Sequence, residues 1–238
     1  MEQTNALKKL GVIGGMGPEA SCFYYQNVIK HTKAEKDQDH IDMVILSHAT
    51  MPDRTTAILT GDDKHLINVL CDDARTLESL GVSNIAVTCN TSHYFYEQMQ
   101  KAVQIPVINM IYESVAYAVK HYEGVKKIGI MGTDGTINSR IYHKECRKLG
   151  VTAVKPSPER QKDVMSLIYD DIKSGKDGDR EKFDRVMSEF LRKGCDVVIL
   201  ACTELSVFKE KHEVPSICLD AMDVLVRESI VRSGAEYI

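Results

Sequence analysis

Two cysteines occupy equivalent settings in this chain. The run SNIAVT leads into Cys89, and the run CDVVILA leads into Cys202. Each thiol ends a short apolar run with strand character. Each is followed by Asn-Thr or Thr-Glu, and Asn and Thr favour turns and helix starts. A thiol at such a position is open to acidification by helix N–H groups and nearby cations. Two thiols delivered to one cleft by two equivalent strand ends suit the transfer of a proton from one face of a carbon atom to the other. The carbanion between those two steps needs N–H groups and hydroxyls around the carboxylate that shares its charge. Thr91, Thr133, Thr136 and Thr203 lie on the same predicted edge.

The duplication reaches beyond the cysteines. KKLGVIGGMGP begins at Lys8 and KKIGIMGTDGT at Lys126, and IPVINM from Ile105 is matched by VPSICLD from Val214. Three landmarks therefore recur in one order, offset by 118, 113 and 109 residues. A period this long is not a solenoid unit; it points to two α/β halves made by duplication. Strands are expected at 9–13, 42–48, 84–88, 106–109, 127–131, 151–155, 196–201 and 215–219. Helices are expected at 19–32, 64–80, 92–103, 137–148, 159–174, 179–193 and 220–232, and SGKDGD (174–179) reads as a loop. Strand–helix alternation implies parallel sheets covered on both faces, and VVIL and MVIL fit strands buried on both sides. The join between halves is expected near 111–125. The last strand and helix are expected to pack back on the first half, giving one domain of 1–112 plus 212–238 and a second of 113–211.

In such sheets ligands bind beyond the carboxyl ends of the strands. The glycine turns, both cysteines and PDRT (52–55) gather there. GGMGP (14–18) is neither a GxGxxG fingerprint nor a phosphate-binding P-loop. It reads equally as an anion-binding turn or as a plain strand-to-helix turn. Arg54 can grip a carboxylate through paired hydrogen bonds, although composition alone favours a surface arginine. Lys173 is as ambiguous beside a helix C-terminus. Asn90 and Glu204, next to the thiols, are substrate binders or helix caps. His93, one turn beyond Cys89, is a candidate to tune that thiolate, or a surface or capping residue. Cys22, Cys71, Cys146, Cys195 and Cys218 lack the repeated setting and read as small buried hydrophobes.

The 238 residues and 43% apolar content allow a sizeable core. A net charge of -4 and a pI near 6.1 give no basic footprint for nucleic acid. No apolar run reaches the about 18 residues that span a bilayer. The stretch MEQTNALKKLG has no signal-peptide pattern, so cytoplasmic residence and reduced thiols are the default expectation. No CxxC pair supports a zinc site.

The segments GVIGGMGPEA, PDRT, TCNTSH, IYDDIKSG and ACTEL resemble the aspartate/glutamate racemase family, in its aspartate racemase branch. They are spread over nearly the whole chain. The resemblance implies racemisation of an acidic amino acid by two cysteines, without pyridoxal phosphate, other cofactor or metal. It implies two similar α/β domains related by a pseudo-twofold axis, a site between them, and usually a homodimer. It implies Cys89 and Cys202 as the acid/base thiols, and Arg54 and Lys173 as binders of the side-chain carboxylate. Met16, Asn90, Thr91, Thr133, Thr136, Thr203 and Glu204 match substrate-lining segments. Dedicated glutamate racemases resemble CTH where this chain has CTE, and open on an Asp-Ser-Gly loop where it has GGMGP. The expectation is therefore aspartate, with glutamate as a further substrate. Two rival readings are an isomerase acting on a related diacid and a non-catalytic amino-acid-binding protein; binding alone needs no thiols.

Overall fold

The computed structural model describes residues 7–238; the first six residues of the stretch read for a leader lie outside it. The first half runs β1 (Leu10–Gly14), α1 (Pro18–His31), β2 (Met43–Ser47), α2 (Arg54–Thr60), α3 (Lys64–Ser79), β3 (Asn84–Val87), a 3-10 turn (Thr91–Phe95), α4 (Tyr96–Ala102) and α5 (Met110–His121). The second half runs β4 (Lys127–Met131), α6 (Asp134–Asn138), α7 (Ile141–Lys148), β5 (Thr152–Val154), α8 (Pro158–Ser166), a π turn (Leu167–Asp171), a 3-10 turn (Ile172–Ser174), α9 (Arg180–Arg192), β6 (Val197–Leu200), α10 (Thr203–Lys211), β7 (Cys218–Asp220) and α11 (Ala221–Arg232).

All strands pair in parallel, in the orders β2-β1-β3 and β5-β4-β6-β7. The sequence repeat is reproduced in register. Gly11 faces Ile85 and Gly129 faces Val198, the offsets that separate the paired landmarks. Period-2 alternation gives each central strand two buried faces. Ile128 and Ile130 point into a core shared by both sheets, while Met131 joins a core under α8, α9 and α10. Leu10 and Val12 likewise enter the shared core, and Ile13 enters one under α3 and α4. No helix among the described residues is long and apolar enough to cross a membrane.

Several expected elements change. The strand at 106–109 shrinks to one bridge between Ile85 and Val107, because Pro106 has no N–H to extend the ladder. The helix at 137–148 is two helices, interrupted by Arg140 at φ 55°. Just before the break, the Ser139 hydroxyl donates to the Thr136 carbonyl, an alternative to the regular helix ladder. The helix at 159–174 gives way to the π turn and the 3-10 turn. The helix at 92–103 begins as a 3-10 turn. The join at 111–125 is largely helix α5.

The assignment of the last strand to the first half is corrected: β7 is the fourth strand of the second sheet, beside β6. Helix α11 does pack on α1 and β3 of the first half, while α5 packs on α7 and β7 of the second. The two halves thus exchange their last helices, and α5 and α11 pack on each other between the sheets. That exchange makes the central apolar cluster continuous across both sheets.

Candidate active site

Strand ends from both halves meet around one small cavity of about 20 Å³. Cys89 and Cys202 line it, each only 7% exposed. The first half also contributes Met16, Arg54, Asn90 and Thr91; the second contributes Thr133, Lys173, Thr203 and Glu204. An adjoining cavity of about 280 Å³ opens on the far side of Met16, Arg54, Lys173 and Glu204. The inner cavity has room for about one water molecule, so a larger occupant requires that wall to move.

Local chemistry places each group. Gly15, at φ 86°, allows the β1 loop to touch the β2 loop; a Cβ there would lie 2.5 Å from the His48 nitrogen. The turn carries Met16 inward, where its sulfur accepts a hydrogen bond from Ser92 at 3.2 Å. Asp53 caps α2 by accepting from the Thr56 N–H at 2.8 Å, setting Arg54 in the first turn. Arg54 Nη1 donates to the Pro52 carbonyl at 2.9 Å, and its buried Nε has no protein partner. Burial opposes the Arg54 charge, but neighbouring Cys89 and Asp53 outweigh it and hold the guanidinium above its ordinary pKa.

The two thiols have different surroundings. Cys202 stands at the start of α10 and donates to Glu204 Oε2 at 2.8 Å. Burial, then the Glu204 charge, push this thiol well above its ordinary value, so it rests protonated. The other Glu204 oxygen is paired with the Lys173 ammonium. Burial works against the charge of Lys173; the Glu204 carboxylate foremost more than offsets it and raises its pKa. Thr203 donates to Glu204 at 3.4 Å. The π turn and the 3-10 turn after it occupy the segment that brings Lys173 to the cavity, and such turns recur where a helix is adapted to a site.

Around Cys89 the neighbours are mostly neutral hydrogen-bonding groups. Asn90 is 2% exposed; its Oδ1 accepts from the Tyr142 hydroxyl at 2.6 Å, and its Nδ2 is buried without a partner. The Thr91 hydroxyl lies 3.0 Å from that of Thr133 and 2.9 Å from that of Thr136, tying the halves together. Thr133 also caps α6.

Two expectations are corrected here. Thr136 does not line the cavity; it stands behind Thr91 and Thr133 because the first turn of α6 carries it one layer back. His93 does not reach the Cys89 sulfur. Its Nδ1–H donates to the Cys89 carbonyl at 2.8 Å, and its Nε2 accepts from the Met110 N–H at 3.2 Å. Burial lowers its pKa and keeps the ring neutral, so it braces the backbone that carries Cys89. Of the five remaining cysteines, Cys71, Cys146 and Cys195 are buried, Cys218 is half-buried and Cys22 is exposed. Asp53, Thr55 and Tyr169 also line the cavity and were not singled out from sequence. All three lie inside the segments PDRT and IYDDIKSG, beside Arg54 and Lys173, and that adjacency was the available signal.

A profile of Asp/Glu/Hydantoin racemases matches residues 13–229. The chain belongs to the Asp/Glu/hydantoin racemase family. As a member of this racemase family it is an isomerase of the amino-acid racemase type. It is 28% identical over 216 residues to the broad specificity amino-acid racemase RacX of Bacillus subtilis, covering 87% of this chain and 91% of that one. A glutamate racemase of Persephonella marina is 32% identical over 151 residues, 61% of this chain and 55% of the relative. Among solved structures, Picrophilus torridus aspartate racemase superposes with a TM-score of 0.84 at 28% identity, covering 97% of this racemase-family chain and 96% of its own.

Proposed function

We propose that this protein racemises an acidic amino acid, aspartate foremost, by a two-thiol acid/base mechanism that uses no pyridoxal phosphate. The observation that carries the reading is the pair of buried strand-end thiols, Cys89 and Cys202, lining one cavity together with Arg54 and Lys173. One thiolate removes the α-proton, leaving a planar carbanion. The other thiol donates its proton to the opposite face, becoming a thiolate in turn. Carbon loses one proton and gains a different one on the opposite face; the first sulfur is left as the thiol and the second as the thiolate.

The remaining groups fit the three handles of the substrate. Asn90 Nδ2 and the hydroxyls of Thr91, Thr133 and Thr203 offer donors to the α-carboxylate, where charge develops. Arg54 and Lys173 take the side-chain carboxylate. Glu204 takes the ammonium group; at rest it accepts a hydrogen bond from the Cys202 thiol and pairs with the Lys173 ammonium. Thr136 holds Thr91 and Thr133 in place. Met16 forms an apolar wall. Entry requires Lys173 and Glu204 to part, so the substrate's own charges replace the ion pair it breaks. Cytoplasmic residence and a homodimer belong to the same proposal, the homodimer resting on the family resemblance.

The test is chiral chromatography after incubation with L-aspartate in deuterium oxide. The parent is expected to release D-aspartate deuterated at the α-carbon. Cys89→Ala and Cys202→Ala are each expected to abolish racemisation. Full racemisation by either variant overturns the two-thiol reading, and binding without turnover by the parent supports a sensor. A second reading, a wider substrate range, is favoured by the outer cavity of about 280 Å³ beyond Lys173 and Glu204. The same assay with glutamate and neutral amino acids decides it.

A further inference from the structure

We propose that Tyr142 is a positioning residue that sets which end of the Asn90 amide faces the substrate carboxylate. This rests on the racemase reading above. Tyr142 does not line the cavity. It sits on α7 of the second half, 1% exposed within the central core, and reaches across to Asn90 of the first half. Burial raises the phenol's pKa, so the hydroxyl keeps its proton and acts as a donor. An O–H donor at 2.6 Å is satisfied by the amide oxygen. That choice turns Nδ2, a buried N–H donor with no protein partner, away from Tyr142.

A carboxylate in the cavity needs Nδ2. With the amide reversed, Oδ1 would face it, and a hydrogen bond would become a repulsion between two acceptors. A single primary amide rotates by half a turn with little change in shape, so packing alone holds its orientation weakly. The Tyr142 hydrogen bond supplies the missing selection. Helix α7 reaches this place because Arg140 breaks the helix expected over 137–148 and lets the second segment start afresh. Since the bond joins the two halves, the carboxylate site is complete only when the halves are together.

The decisive experiment is a double-mutant cycle of Tyr142→Phe, Asn90→Ala and both together. L-aspartate and D-aspartate affinity is read by calorimetry and turnover by chiral chromatography. Tyr142→Phe is expected to weaken binding of both enantiomers about tenfold, because a hydrogen bond to a charged group is lost in part of the population. The ratio of forward to reverse kcat stays unchanged, because the α-carboxylate is common to both enantiomers. Adding Tyr142→Phe to Asn90→Ala is expected to cause no further loss. Undiminished affinity in Tyr142→Phe, or full multiplication of the two losses in the double variant, overturns the proposal; a purely structural role would lower the melting temperature and leave affinity intact. A parent that binds both enantiomers but does not racemise them overturns the two-thiol reading and leaves the cycle readable. A parent that binds neither overturns both.

Discussion

Gly135 tests whether closure of the two halves is what makes the site. A Cβ at this position lies 2.8 Å from Thr91 Cγ2, 2.9 Å from Thr55 Oγ1 and 3.0 Å from Thr55 Cα. Carbon atoms settle at about 3.5–4.0 Å. Thr55 Cα is backbone and cannot rotate away, so Gly135→Ala must push α6 back from α2 and the Thr91 turn by roughly 0.7 Å. That displacement stretches the 3.0 Å contact between Thr91 and Thr133, and the 2.9 Å contact between Thr91 and Thr136, to a length at which they are no longer hydrogen bonds. Overpacking costs about 1–3 kcal/mol. Replacing glycine by alanine inside a helix returns roughly 1 kcal/mol. The net loss of about 0–2 kcal/mol lowers the melting temperature by no more than about 8 °C in a chain of this size. Catalysis is less forgiving, since a displacement near 1 Å costs about 10²-fold. Gly135→Ala is therefore expected to remain folded, by calorimetry and circular dichroism, while kcat/KM for aspartate falls about 10²-fold. A folded variant with activity within threefold of the parent refutes the reasoning that this contact sets the cleft.

Two further substitutions probe the charges. Lys173→Met removes the partner of a nearly buried carboxylate and is expected to cost about 3 kcal/mol in urea unfolding; it is also expected to slow alkylation of Cys202 by iodoacetamide, because Lys173 is the cation opposing the rise in that thiol's pKa. Asp220 is fully buried, accepts from Ser206 and the Met222 N–H, and is pushed up to about 7 by burial and then Asp223. A carboxyl raised in the folded state binds its proton more tightly there, so its contribution is complete below about pH 4 and is lost as pH rises through about 7. Asp220→Asn is accordingly expected to gain stability relative to the parent across that window in pH-resolved urea melts, and a constant difference between the two refutes it.

Much of the site was legible because it sits at strand ends that the chain writes twice. Cys89 and Cys202 stood apart from five other cysteines by their setting, and the cavity contains both. Arg54 and Lys173 were ambiguous as single residues; the segments that hold them singled them out, and both line the cavity. Thr136 and His93 were misplaced in role because a sequence position does not fix where a side chain points. One turn of helix carries Thr136 behind Thr133, and the neutral His93 ring braces backbone instead of meeting sulfur. Tyr142 carried no local signal, since its partner lies 52 residues away in the other half.

The apolar runs and the repeat determined strands in parallel sheets, two similar halves and two thiols at matching strand ends, because period-2 burial and glycine turns are local properties. Only tertiary structure decided which sheet β7 joins, that α5 and α11 change places between the halves, and that Glu204 both accepts from the Cys202 thiol and pairs with Lys173. Those outcomes depend on which distant surfaces bury each other. The same packing makes two similar cysteines unlike: one donates to a carboxylate, and the other lies beside a guanidinium.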